Sequence, residues 1–158
     1  MKNLLLLSLL GLLLALPRLG QAQAPAAPTP NFCGLNLPLE SGYTAVSGSE
    51  ITGPAYQLSW MYLDYGVMKA YPPEYIRLAK KKHKGAESAP FTCTLRGGLP
   101  VQGTRLSYAT ETGGMAYQYI VCGVVQGQAV LVDMTLPLDP EKTADLPGVA
   151  QQIMHLEK

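Results

Sequence analysis

The chain has 158 residues, a formal net charge of +1, 47% hydrophobic and 15% charged residues, and Cys 3, His 2. That length suits one domain burying roughly two-thirds of its unfolded surface, so disulfides are not needed simply to fold. The charge balance excludes a basic nucleic-acid binder, and two histidines with no CxxC pair exclude an ordinary structural zinc site.

The chain opens MKNLLLLSLLGLLLALPRLGQAQA. Lys2 gives a short positive region, Leu4 to Leu16 is an apolar run shorter than the ~20 residues a membrane span needs, and Pro17 ends it. This predicts a secretory signal peptide over residues 1–22, cleaved after Ala22 so that Pro25 does not become the first mature residue. Cleavage removes Lys2 and Arg18 and turns the formal charge slightly negative. No cysteine lies at the cleavage site, and no transmembrane segment is expected in the mature chain. Residues 23–31, QAPAAPTPN, read as an extended Pro/Ala linker. A single globular domain is expected over 32–158.

Residues 32–54 are rich in Gly, Ser and Pro, with a short strand expected at Tyr43–Val46 and turns at Ser47–Ser49 and Gly53–Pro54. No phosphate-loop or dinucleotide pattern occurs there, and no cofactor is implied. In AYQLSWMYLDYGVMKAY, residues 55–71, Tyr56, Leu58, Trp60 and Tyr62 alternate as in a strand, whereas Tyr56, Trp60, Leu63 and Val67 also fit a helical stripe. The aromatic content favours strand. A hairpin is expected, turning at Asp64-Tyr65-Gly66 into a second strand at Val67–Tyr71. Tyr62, Tyr65, Tyr71 and Tyr75 form an aromatic neighbourhood, and packing is its ordinary role beside ligand stacking.

A helix is expected over 73–84. Pro73 suits its first turn. Glu74 at the start and Lys80, Lys81, Lys82 and Lys84 at the end suit the helix dipole, and Gly85 is a natural stop. Ile76, Ala79 and His83 line one side, with Tyr75 and Leu78 beside them. The four lysines offer contact with an anionic surface such as lipid head groups; the ordinary reading is a solvated helix end.

Phe91–Leu95 and Thr104–Thr110 read as strands, with turns at Gly97-Gly98, Gln102-Gly103 and Thr112–Gly114. The most legible stretch is MAYQYIVCGVVQGQAVLVDMTL, residues 115–136, two strands around a Gln126-Gly127 turn. Placing Val125 opposite Gln128 sets Val121 against Val132 and Tyr119 against Met134. One face then carries Tyr117, Tyr119, Val121, Val125, Val130, Val132, Met134 and Leu136 and must be buried. The other carries Gln118, Ile120, Cys122, Val124, Ala129, Leu131, Asp133 and Thr135 and is mixed. A last helix is expected after Asp145, with Leu146, Val149, Ala150, Ile153 and Met154 as its buried stripe. The predicted class is α+β: an antiparallel meander with packed helices, including a C-terminal one.

In an exported chain, three cysteines permit one disulfide. Cys33 follows the linker, where a tether is useful, and Cys93 lies on the first strand of the meander. Cys122 sits among Ile120, Val121 and Val124, where a thiol packs as a small apolar group. A Cys33–Cys93 bridge and a reduced Cys122 are expected.

The ending GQAVLVDMTLPLDPEKTADLPGVAQQIMHL, after a meander and a helix, resembles the PsbP-like and DcrB-like small extracytoplasmic proteins over roughly residues 90–158. The resemblance implies an antiparallel sheet with helices packed on it and a non-catalytic accessory or binding role; it assigns no functional residue. The expected function is therefore an exported, non-catalytic binding or accessory protein of the bacterial cell envelope, periplasmic or secreted, acting on a protein or small ligand. Two alternatives stand: an inhibitor or immunity-type partner of another exported protein, and a small hydrolase built from Asp133, His155, Ser107 or Cys122. No GxSxG elbow supports the hydrolase, and no catalytic, cofactor or metal residue is assigned.

Overall fold

The computed structural model describes residues 28–157. The expected signal peptide and residues 23–27 of the expected linker lie outside them. In chain order the elements are β1 (Asn31–Phe32), β2 (Leu35–Asn36), β3 (Thr44–Ser47), β4 (Glu50–Thr52), β5 (Gln57–Leu63), α1 (Tyr71–Lys82), β6 (Glu87–Leu95), β7 (Pro100–Ala109), β8 (Met115–Val125), β9 (Gln128–Leu136), a 3-10 turn at Thr143–Asp145, α2 (Gly148–Gln151) and β10 (Met154–Glu157).

Eight strands form one antiparallel sheet in the order β10-β6-β7-β8-β9-β5-β4-β3, while β1 and β2 pair separately. The β8–β9 hairpin is its centre. Gln126 and Gly127 take φ of 50° and 76°, the pair of positive values that a tight two-residue hairpin turn needs. The register follows the expectation, with Val125 opposite Gln128, Val121 opposite Val132 and Tyr119 opposite Met134.

The two faces of the sheet are closed differently. On the first, Val121, Val125, Val130, Val132 and Met134 join Leu58, Trp60, Cys93 and Leu95 in the main core. The N-terminal segment covers part of this face: Phe32 meets Trp60 edge-on at 5.6 Å, and Trp60 Nε1 donates to the Asn31 carbonyl at 3.2 Å. The C-terminal segment contributes Leu146, Val149, Ala150 and Ile153. On the second face, Leu106, Tyr108, Ala116, Ile120 and Leu131 form a smaller cluster, against which α1 packs Tyr75, Ile76 and Ala79. Leu78, beside that stripe, is half-exposed.

The expected α+β class is overturned. The described residues are mostly β, 47% strand and 15% helix, with α1 the one sizeable helix among them. Two expectations fail for one reason, the pairing of sheet edges. The stripe Leu146, Val149, Ala150, Ile153 and Met154 is buried, but α2 is a single turn, and Met154–Glu157 extends to pair with β6. Residues 57–63 are a strand, yet β5 bonds to β4 on one side and β9 on the other, leaving no place for a hairpin partner. The chain does turn at Asp64, where Gly66 N–H donates to Asp64 Oδ1 at 2.7 Å, and then winds into α1. Gln102-Gly103, expected as a turn, lies within β7.

Candidate functional site

Strand parity puts Gln118, Ile120, Leu131, Asp133 and Thr135 on the face that α1 covers. Here α1 ends with Lys82 and with His83 at its C-cap, leaving the sheet beyond it uncovered. A cleft of about 200 Å³ opens there, lined by Glu50, Ser59, Lys82, His83, Tyr108, Gln118, Asp133 and their neighbours. Glu50, Ser59 and Asp133 lie in register across β4, β5 and β9, so a polar row runs across the floor.

Asp133 anchors this site. Tyr75 reaches from α1 to donate its hydroxyl to Asp133 Oδ2 at 2.6 Å. Gln118 Nε2 donates to Oδ1 and Oδ2 at 2.9 and 2.7 Å. Burial raises the carboxyl above its ordinary range, while those donors and the charges of Lys82 and His83 pull it partly back. His83 stacks on Tyr108, with ring centres 3.6 Å apart and planes 13° from parallel. Burial, helped by the Lys82 charge, lowers the His83 pKa and favours neutral imidazole. Burial also raises the Tyr75 hydroxyl, so that it remains a donor.

Gln118 is 8% exposed, the buried polar residue among the core positions. Its amide nitrogen is committed to Asp133, but its buried Oε1 has no partner among the described residues. A buried acceptor left unpaired costs about 1–3 kcal/mol. The cleft is thus lined by a residue with an unpaired acceptor beside a carboxylate, with Ser59 and Thr135 as hydroxyl-bearing neighbours. It can receive a molecule that donates hydrogen bonds.

The hydrolase parts do not assemble. Asp133 lies on β9, while His155 is exposed on edge strand β10, with β6, β7 and β8 between them. Ser107 pairs with Tyr117 and points to the opposite face from its neighbours Leu106 and Tyr108. Cys122 shares the Asp133 face, but burial raises its pKa and so disfavours the thiolate. The four lysines are all solvent-exposed at the end of α1. Lys80 donates to Ser88 Oγ at 3.0 Å and Lys82 lines the cleft. Of the tyrosine neighbourhood, Tyr71 and Tyr75 stay paired with ring centres 6.1 Å apart, while Tyr62 donates to the Asn31 carbonyl, Tyr65 to the Gly127 carbonyl and Tyr75 to Asp133.

The expected Cys33–Cys93 bridge is absent; both cysteines are buried and free, and Cys122, part-exposed, is free as well. Cys33 sits in the β1–β2 turn, its N–H bonded to Tyr62 of β5. Cys93 lies on β6, with β7, β8 and β9 intervening. Among the described residues no group of three or more His, Cys, Asp or Glu is placed to hold a metal ion, and no helix is long and apolar enough to cross a membrane.

Reading the sequence singled out Asp133 but missed Gln118, Tyr75 and His83 as its surroundings. A signal was present for Gln118, which shares a face with Asp133 on two otherwise apolar strands. No family model and no curated protein matches the chain.

Proposed function

We propose that this chain is an exported, non-catalytic binding or accessory protein of the bacterial cell envelope, and that the Asp133 cleft seats a small polar ligand. The export half of the proposal rests on the leader-like N-terminus, and the resemblance to PsbP-like and DcrB-like proteins points the same way. The binding half rests on one observation: Gln118 lines the cleft, and its buried Oε1 has no partner among the described residues. A concave site with a few convergent polar groups and a perturbed carboxyl is the ordinary form of a small-ligand site. Its volume of about 200 Å³ limits the ligand to a small molecule.

The test is a ligand-observed NMR screen of amino acids, amines, monosaccharides and polyols against the purified protein. Hits should share an N–H or O–H donor and should be lost in Gln118→Leu while the fold is retained. A screen without hits, or hits unaffected by that substitution, would defeat the proposal.

A further inference from the structure

A second cavity lies away from the Asp133 cleft, where three stretches of chain meet. The Glu40–Tyr43 loop, the Ala55–Tyr56 turn, and the chain from Leu136 to Pro147 enclose about 280 Å³. Its walls are apolar and aromatic. Tyr43 stacks on Tyr56, with centres 4.2 Å apart and planes 25° from parallel. The stack is held in place: Tyr43 Oη accepts from the Ala55 N–H at 3.2 Å. The Tyr43 ring also occupies the space beside Gly53 that any side chain would need, since a Cβ there would lie 2.1 Å from it. The wall is therefore built before any ligand arrives.

One feature of this cavity has no role in folding that the structure shows. The Tyr56 hydroxyl is buried and unpartnered, on a residue 3% exposed that lines the cavity. Glu40 and Asp145 line it as well; they accept backbone N–H groups, Glu40 from Val149 and Asp145 from Glu141 and Lys142, but no lysine, arginine or histidine is among the lining residues. Burial first, then the Glu40 charge, holds the Tyr56 phenol well above its ordinary pKa, so it is a neutral hydroxyl whose oxygen can accept. An acceptor oxygen, a stacked aromatic pair and two carboxylates without a counter-cation complement a positively charged N–H donor attached to apolar surface.

We propose that this cavity binds a small organic cation, an ammonium group carried on an apolar body. The ammonium donates to Tyr56 Oη in the field of Glu40 and Asp145, and the body packs against Tyr43, Leu136 and Leu146.

The test is a ¹⁵N and aromatic ¹³C NMR titration of the purified protein with benzylamine, benzyl alcohol and benzoate, three probes of one shape and different charge. Benzylamine should shift the signals of Tyr43, Ala55, Tyr56, Leu138 and Leu146. Benzyl alcohol should bind about fivefold more weakly for want of the ion pairing, and benzoate more weakly still. Tyr56→Phe keeps the ring and leaves no group unpaired, so the fold should persist, and benzylamine affinity should fall about tenfold. Glu40→Gln should lower it about fivefold. Equal binding of benzylamine and benzyl alcohol would overturn the cation assignment. Shifts centred on the Gln118 side-chain amide, no binding at all, or unchanged affinity in Tyr56→Phe would overturn the site.

Discussion

Gln118 on β8 spans both carboxylate oxygens of Asp133 on β9, at 2.9 and 2.7 Å, while its own oxygen stays unpaired. The pair is not the most stable one these positions can hold, and Asp133→Asn exposes this. A small rotation of the Gln118 amide would pair two primary amides, each donating one N–H to the other's carbonyl, with Tyr75 still donating to the new one. The orphan acceptor and the buried charge disappear together. Asp133→Asn should therefore stabilise the fold by about 1 kcal/mol at neutral pH and abolish ligand binding in the cleft.

The same carboxyl sets a pH dependence. Burial raises the folded-state pKa of Asp133 above the ordinary 3.8. The folded protein therefore holds this proton more tightly than the unfolded chain does. That contribution is fully present below 3.8 and is lost as pH rises through the folded value. Urea unfolding from pH 3 to 7 should show the advantage of Asp133→Asn over wild type growing across that window and then levelling. An advantage that shrinks as pH rises would reverse the sign and refute the assignment.

Tyr75 is the tie between α1 and the sheet. Tyr75→Phe keeps the ring on the Ile120–Leu131 cluster and deletes only the hydroxyl at 2.6 Å from Asp133. A hydrogen bond to a charged group is worth about 1.5–3 kcal/mol, so the substitution should cost that much at neutral pH and less at pH 3, where the carboxyl is protonated. Combined with Asp133→Asn, it should cost measurably less than alone. Additive losses in denaturant unfolding would show that the two side chains do not interact.

The β8–β9 hairpin was legible because two local signals agreed: strict alternation, and a Gln-Gly pair able to take two positive φ values. Helix α1 was legible for the same kind of reason, with Pro72 and Pro73 at its start and lysines in its last turn. The C-terminal segment was half legible. Val149, Ala150, Ile153 and Met154 satisfy a helical period, and all are buried, but the unpaired edge of β6 captured Met154–Glu157 as a strand. Such long-range pairing leaves no local trace. The strand parity that puts Gln118 and Asp133 on one face was readable; the approach of Tyr75 and His83 was not, because it depends on how α1 crosses the sheet.

The thiols give a direct chemical readout. All three are free, and burial with the Glu157 charge pushes Cys93 up to about 12. Unfolded protein prepared without reductant should titrate three thiols per chain with Ellman's reagent. In the native state Cys122, which is part-exposed, should react before the buried Cys33 and Cys93. Since the thiolate is the reactive form, Cys93 should be slow at neutral pH. One thiol per chain, rather than three, would restore a bridge and contradict the separation of Cys33 and Cys93 across the sheet.

The final prediction concerns Gly103, which is buried in the middle of β7 opposite Phe91. A Cβ at this position would lie 2.4 Å from the Phe91 ring and 2.9 Å from the Ile120 carbonyl oxygen. The ring fills the space that the missing side chain leaves, and it meets Tyr119 edge-on at 4.9 Å. Glycine is required here by close packing across the β6–β7 ladder, not by a turn. Gly103→Ala should cost about 1–3 kcal/mol through overpacking. Phe91→Ala should also destabilise, by lost burial and by loss of the contact with Tyr119. The double substitution should cost less than the sum, since the ring no longer opposes the new methyl group. Part of the penalty must persist, because the Ile120 carbonyl remains backbone and cannot move aside. Thermal and urea unfolding of the four proteins measure the coupling. If Gly103→Ala is within about 0.5 kcal/mol of wild type, as for an ordinary surface substitution, Phe91 does not lie over Gly103 and the β6–β7 register is wrong.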